Sequence, residues 1–401
     1  GAAYVFVRSG TSWTQQAYLK ADNAEAGDQF GWRVAVDGDT VVVGAPREDS
    51  NARTVNGDGS SNDASNAGAA YVFVRSGTSW TQQAYLKVDS ASSTDFFGNA
   101  VAVDGDTVVV GAPLEDTYAT VDNAGAAYVF VRGGTTWTQQ AYLKADNAGT
   151  DDGFGGSVAV DGDTVVVGAG GEDSNATTVN GDGSNNDAPD AGAAYVFIRS
   201  GTSWTQQAYL KANNAEADDG FGFPVAVDGD TVVVGAYQES PEGAAYVFVR
   251  NGTSWTQQAY LKANNAEAGD WFGVSVAVNG DTVVVGAMYE DSNATTVDGD
   301  GSNNDAATAG AAYIFVRNGT AWAQGAYLKA DNAEIADQFG LSVAVDGDTV
   351  VVGAFFEDSN ATTVNGDGNN NDAGLAGAAY VFDIQRLSIF SDGFESAAPA
   401  R

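Results

Sequence analysis

The stretch Phe154–Ala169 reads F-G-G-S-V-A-V-D-G-D-T-V-V-V-G-A. It predicts two short strands joined by a tight turn. Asp161–Asp163 supplies the turn, because Asp-Gly accepts the positive φ angles that a short hairpin needs. Thr164–Ala169 is apolar on both faces, as a strand covered from both sides must be. A long polar loop follows, then A-A-Y-V-F-I-R at Ala193–Arg199, a turn S-G-T-S, and W-T-Q-Q-A-Y-L-K at Trp204–Lys211. Ala193–Arg199 puts Tyr195 and Phe197 on one face and Ala194, Val196 and Ile198 on the other, so it too is sandwiched. Trp204–Lys211 carries Gln206 and Gln207 and suits an outer edge. One unit is thus four antiparallel strands: a (Phe154–Val160), b (Thr164–Ala169), c (Ala193–Arg199) and d (Trp204–Lys211).

This unit recurs, and the recurrence decides the architecture. The string G-A-A-Y-[VI]-F begins at Gly1, Gly68, Gly125, Gly192, Gly243, Gly310 and Gly377. Almost all the length variation lies in the b–c loop. Four-stranded antiparallel sheets with two apolar faces, repeating at this spacing, describe an all-β propeller. A β-solenoid is the weaker alternative, since its repeats are usually shorter and its strands parallel. Strands a, b and d occur six times and strand c seven times, which makes 25 strands. A ring of six blades needs 24 and is favoured, with seven blades as the alternative. Closure is expected through pairing of the N-terminal strand d (Trp13–Lys20) with the C-terminal strands a, b and c. Repeat cores start at Phe30, Phe97, Phe154, Phe221, Phe272 and Phe339. The propeller is expected to occupy residues 1–383 and a C-terminal tail residues 384–401. One strand c is spare, and an unpaired apolar strand invites pairing with another molecule.

The motif F-G-x-S-V-A-V…V-V-V-G-A-P…G-A-A-Y-V-F resembles the FG-GAP repeat of integrin α-subunits and of secreted bacterial proteins. Gly-Ala-Pro is intact at Gly44–Pro46 and Gly111–Pro113; elsewhere the third residue is Gly, Tyr, Met or Phe. The resemblance implies a β-propeller and says little about activity, because one fold hosts many functions. In integrin-type repeats a calcium loop lies between strands a and b with the spacing D-x-D-x-D-G-x-x-D. Here that turn is only D-G-D, as at Asp37–Asp39, which is too short to wrap an ion.

A separate calcium proposal comes from the long b–c loops. Calcium takes six to eight oxygens from carboxylates, amides, carbonyls and water. V-N-G-D-G-S-N-N-D-A at Val179–Ala188 and its copies offer such donors, with a Gly after the central Asp to permit a tight wrap. The candidate sets are Asp49, Asn51, Asn56, Asp58 and Asp63; Asp173, Asn175, Asn180, Asp182 and Asp187; Asp291, Asn293, Asp298, Asp300 and Asp305; and Asp358, Asn360, Asn365, Asp367 and Asp372. Blades two and four have short loops and should lack the site.

Composition narrows the chemistry. The 401 residues include no His and no Cys, which removes Ser–His and Cys–His catalysis and the commonest ligand of zinc, copper and iron. The net charge of −36, from 53 acids against 17 bases, repels nucleic acid and anionic membranes. No apolar run is long enough to span a membrane. No signal peptide is seen, and Gly1 lies inside a repeat, which suggests a processed or trimmed N-terminus. Strand parity places the short a–b and c–d turns at one end of each blade. The acidic b–c and d–a loops lie at the other end, where function is expected. Pairs such as Glu172–Asp173 resemble a glycosidase dyad, but copies in many blades read as architecture. The recurring Lys, Arg and Trp residues read the same way.

The resulting expectation is a secreted, non-enzymatic bacterial protein, extracellular or on the cell surface. It would serve a structural or adhesive role and self-associate head-to-tail into filaments by strand donation through its termini. A protein or glycan ligand would meet its acidic face. A soluble carbohydrate- or protein-binding module, and a propeller-based hydrolase or lyase, are the alternatives.

Overall fold

The computed structural model describes residues 1–116 and 121–387. Its strands are all short and antiparallel. An N-terminal hairpin, β1 (Ala3–Ser9) and β2 (Ser12–Leu19), is followed by the first blade: β3 (Val34–Asp37), β4 (Thr40–Ala45), β5 (Ala69–Ser76) and β6 (Ser79–Leu86). The second blade is β7 (Ala100–Asp104), β8 (Thr107–Ala112), β9 (Ala126–Gly133) and β10 (Thr136–Leu143). The third is β11 (Ser157–Asp161), β12 (Thr164–Ala169), β13 (Ala193–Ser200) and β14 (Ser203–Leu210). The fourth is β15 (Val225–Asp228), β16 (Thr231–Ala236), β17 (Ala244–Asn251) and β18 (Ser254–Leu261). The fifth is β19 (Phe272–Asn279), β20 (Thr282–Ala287), β21 (Ala311–Asn318) and β22 (Ala321–Leu328). The sixth holds β23 (Phe339–Asp346), β24 (Thr349–Ala354) and β25 (Ala378–Asp383). Sheet order within each blade follows chain order, so this is a six-bladed β-propeller built from simple up-and-down blades. Among the described residues five sheets are four-stranded, one is three-stranded and one is the two-stranded N-terminal hairpin.

Two compact units are present. One comprises Gly1–Val234 with Phe248–Gln257, the other Gly235–Val247 with Gln258–Arg401. Within the first, the core lies between successive blades. Val42, Ala70 and Val72 of the first blade pack against Val101, Val108 and Val110 of the second. Val109 and Val129 in turn meet Val158, Val165 and Val167 of the third. Strands β4, β8 and β12 therefore bury every residue, as their unbroken apolar runs predict. In the second unit Val284 and Ile314 pack against Val350 and Val352 in the same manner.

Phe154 and Gly155, expected to open strand a, precede it in the structure. Gly155 has φ 95°, and a Cβ there would sit 2.1 Å from the Ala126 carbonyl oxygen. The Phe-Gly step is thus a kink that lets one blade's backbone touch the previous one. Phe154 beside it forms a parallel bridge to Gly125, and the same bridge joins Gly68 to Phe97 and Gly192 to Phe221.

The expected closing pair is corrected by the sheets. Strand β2 pairs with β1 alone, and β23–β24–β25 has no fourth strand among the described residues. The Gly10 turn makes the β1–β2 hairpin local, with little loop-closure entropy to overcome. Leu19 and Ala3 are then held against Val41, Val43 and Tyr71 of the first blade. Of the C-terminal tail, Ile384–Arg386 forms one 3₁₀ turn whose Ile384 is buried on the sixth blade. The expectation for the tail beyond Leu387 lies outside the described residues.

Candidate functional site

Each of the first five blades folds its b–c loop over the end of strand d through a buried polar cluster. In the first blade Glu48 follows β4 and Lys87 follows β6. Lys87 Nζ donates to Glu48 Oε2 at 3.0 Å and to the carbonyls of Ser50 and Gly68, both at 2.9 Å. Tyr85 Oη donates to Glu48 Oε1 at 2.8 Å, and Asn23, from the d–a loop, donates to the same oxygen at 3.2 Å. The Lys87 side chain is fully buried, and that of Glu48 nearly so. An ionised pair survives there only because every polar atom finds a partner.

The third blade repeats the arrangement with Glu172, Lys211, Tyr209 and Asn147, and the fifth with Glu290, Lys329, Tyr327 and Asn265. The short-loop second and fourth blades keep its kernel. Lys144 and Tyr142 donate to Glu115, and Lys262 and Tyr260 donate to Glu239. Burial pushes the Lys87, Lys211 and Lys329 ammonium groups below the ordinary lysine range, against the pull of their glutamates.

Beside each glutamate lies a second buried acid from the residues just before Phe-Gly. Asp95 and Asp152 are each pushed up to about 7, chiefly by burial, with Glu115 and Glu172 respectively adding like charge. Asp270 is raised to about 7 and Asp337 to about 6 for the same reasons. Each takes a backbone N–H three residues earlier, as Asp152 does from Gly149 at 2.6 Å. These acids close the d–a loops.

The opposite ends of the blades hold a different motif. Arg199 bonds Asp163 at 2.6 Å across the a–b and c–d turns and lies 5.3 Å from the centroid of the Trp204 ring. The Trp204 indole N–H reaches Gln140 of the preceding blade at 2.9 Å, and Trp137 reaches Gln83 at 2.8 Å. Recurring Arg and Trp side chains therefore tie turn to turn and blade to blade, the architectural role expected of them.

The predicted calcium donors fall in two groups. Asp49, Asn51 and Asp63 lie in one half of the first long loop. Asn51 Nδ2 donates to Asp63 at 3.3 Å, and Asp49 accepts the Asn66 N–H at 2.7 Å. Asn56 instead accepts the Tyr85 N–H at 2.8 Å, and Asp58 the Ser60 N–H at 3.0 Å. The third loop divides likewise: Asp173 with Asp190, Asn175 with Asp187, Asn180 with Tyr209, Asp182 with Ser184. In the fifth blade Asp291 holds Thr308, Asp298 holds Tyr327, Asp300 holds Ser302, and the N–H groups of Asn293 and Asp305 share the Asn303 side chain. In the sixth, Asp358 holds Leu375, Asn360 meets Asp372, Asp367 holds Asn369, and Asn365 adopts the left-handed conformation. No cluster of three or more acidic side chains suited to a metal occurs among the described residues. As folded here these donors also cap their own loop.

The full polar cluster was not read from sequence, although its signal is present. Glu48 and Lys87, Glu172 and Lys211, and Glu290 and Lys329 are each 39 residues apart. A buried charge pair spaced so regularly belongs to the repeat itself. A model of the FG-GAP repeat matches residues 13–73, 80–130, 137–197, 204–248, 255–315 and 322–382. The chain belongs to the FG-GAP repeat family. Its matched segments begin at the Trp of one strand d and end in the next strand c, so the glutamate of each cluster lies in one segment and its tyrosine and lysine in the next. No curated protein matches this FG-GAP chain. Among solved structures it is similar to a Bacteroides uniformis protein described as a candidate 6-phosphogluconolactonase. The identity is 12%, the TM-score 0.50, and 94% of each chain is covered. At that identity the likeness concerns the fold alone.

Proposed function

We propose that this FG-GAP propeller is a secreted bacterial protein with a structural or adhesive role and no catalytic activity. The observation that carries this reading is the repetition of the Glu–Lys–Tyr cluster from blade to blade. Its buried carboxylates and amines are consumed in holding loops, whereas catalysis calls for a singular, accessible group. The d–a and b–c loops meet at one end of the blades, as the Asn23 bonds to Glu48 and Gly59 show, and gather acidic side chains there. Such a face suits a cationic protein surface or a cation-bridged glycan. A soluble binding module is the second reading. It is favoured by a cleft of about 360 Å³ between these loops, lined by Asp22, Asn23, Asn56, Asp58, Gln82 and Tyr85.

The test is adhesion of labelled protein to immobilised basic proteins and to glycans across a salt series. Salt-sensitive binding, weakened when Asp22 and Asp58 are changed to Asn, supports the adhesive reading. Turnover of lactone or glycoside substrates above the buffer rate would overturn the non-enzymatic one. Calcium on the long loops is tested separately. A melting temperature that rises with millimolar calcium and falls back on chelation supports it; no shift removes it.

A further inference from the structure

The sixth blade contains one half of a polar cluster, and the N-terminal hairpin contains the other half. Glu357 follows β24 and is 3% exposed. It accepts from Asn332 at 3.1 Å and from Ser359 at 3.1 Å, as its counterparts accept from Asn and Ser. Among the described residues no lysine and no tyrosine hydroxyl reaches it, although Glu48, Glu115, Glu172, Glu239 and Glu290 each hold both. The missing pair would come from a strand d on the edge of β25, and β25 instead ends in the 3₁₀ turn.

Strand β2 has the reverse deficit. Its Tyr18 is 53% exposed and packs on Tyr4, with ring centroids 5.2 Å apart. Lys20 is exposed and donates to the Gly1 carbonyl, the equivalent of the Lys87–Gly68 bond, but no glutamate accompanies it among the described residues. Its partner β1 carries A-A-Y-V-F at Ala2–Phe6, and β25 carries the same five residues at Ala378–Phe382. The register that joins Ala3 to Leu19 and Tyr4 to Tyr18 would therefore join Ala379 to Leu19 and Tyr380 to Tyr18 without change of side chains.

We propose that the β25 edge of one copy takes strand β2 of a second copy, so that the incoming Tyr18 and Lys20 complete the cluster around Glu357. The inference rests on the structural reading above and names its partner. The carboxylate half and the tyrosine–lysine half are different residues of the chain, so joining them between copies makes a heterologous contact that repeats head-to-tail. Strand exchange keeps the part of the backbone ladder over Ala379–Phe382, where β25 offers β2 the same residues as β1. It adds two charge-assisted or hydroxyl hydrogen bonds to a carboxylate already out of water. It also pairs an edge of β25 that has no strand on it among the described residues; an unpaired edge is otherwise a template for indiscriminate association.

The probe is a fluorescent peptide of residues 12–20, S-W-T-Q-Q-A-Y-L-K, titrated against the full chain by anisotropy. Saturable binding is expected, at least tenfold weaker for peptides carrying Lys20→Gln or Tyr18→Phe and for the chain carrying Glu357→Gln. Light scattering of the unlabelled full chain should show mass rising with concentration, and Lys20→Gln should abolish the rise. Lys20 is exposed, so that variant tests the contact even where Glu357→Gln fails to fold. No peptide binding, or equal binding by the lysine-free peptide, overturns the site. Peptide binding by a chain that stays monomeric at every concentration overturns the second copy as occupant. Loss of adhesion in the salt series with assembly intact would sink the adhesive reading and leave this contact standing.

Discussion

The first and sixth blades have nearly the same sequence and end in different environments. V-V-V at Val41–Val43 and at Val350–Val352 is identical, yet Val42 is fully buried and Val351 only half so. Val72 is fully buried, while its counterpart Val381 is 44% exposed. Glu48 has lysine and tyrosine donors, and Glu357 has neither among the described residues. The difference teaches that the repeat encodes contacts with its neighbours and that a blade is complete only when both are present. This is the nearest-neighbour logic of repeat proteins.

The sharpest way to break the comparison is to remove a glutamate from each kind of blade. Glu172→Ala leaves Lys211 buried without its counter-charge and should cost about 3–5 kcal/mol in urea unfolding. Glu357→Ala strands no lysine within its own blade and should cost less than half as much. Equal losses would mean that Lys211 is not held by Glu172 in the way described.

Glycine provides the next contrast. A Cβ on Gly111 would sit 2.0 Å from the Gly155 carbonyl oxygen of the adjoining blade. On the equivalent Gly353 it would meet only the Ser342 hydroxyl, at 2.5 Å, which can rotate away. Gly111→Ala is expected to lower stability by about 1–3 kcal/mol through overpacking, and Gly353→Ala by well under 1 kcal/mol. Thermal melts of the two variants decide the point.

Protonation gives a third. Asp152 has a folded pKa of about 7, above the ordinary aspartate value of 3.8, so the folded state binds its proton more readily than the unfolded chain does. Its ionisation therefore destabilises the fold above pH 7. That penalty is relieved as pH falls from 7 towards 4. Melting temperature should rise from pH 8 to pH 5, and Asp152→Asn should flatten part of that rise. In the sixth blade, with Asp337 at about 6, the Asp337→Asn change should flatten it less. A melting temperature that climbs with pH across this range contradicts the assignment.

The smallest effect concerns tryptophan. Trp204→Phe removes the hydrogen bond to Gln140 of the neighbouring blade and should cost about 1 kcal/mol. Trp13, in the hairpin, has no such acceptor among the described residues, and Trp13→Phe should be close to neutral.

Much of this was legible in the chain itself. The D-G-D and S-G-T turns located the hairpins, and the unbroken V-V-V runs located the strands covered on both faces. The fixed recurrence of Phe-Gly and Gly-Ala-Ala-Tyr numbered the blades. The contacts of the candidate loops were less legible. Asn180 and Asp182 look like cation ligands because amides and carboxylates serve both metals and backbone N–H groups. Their use by Tyr209 and Ser184 becomes visible only when the loop is folded. The same holds for Glu172 and Lys211: their spacing is in the sequence, but their burial is not.

What the sequence determined by itself is local: strand periodicity, turn geometry and the repeat, each set by residues within a few positions of one another. Tertiary structure alone decided which strands pair at the ends of the chain and which charges are buried. Those outcomes depend on groups tens of residues apart competing for the same partner. Strand β2 illustrates this, since β1 and β25 offer it the same five residues, and the short Gly10 turn together with the packing of Leu19 against the first blade favours β1.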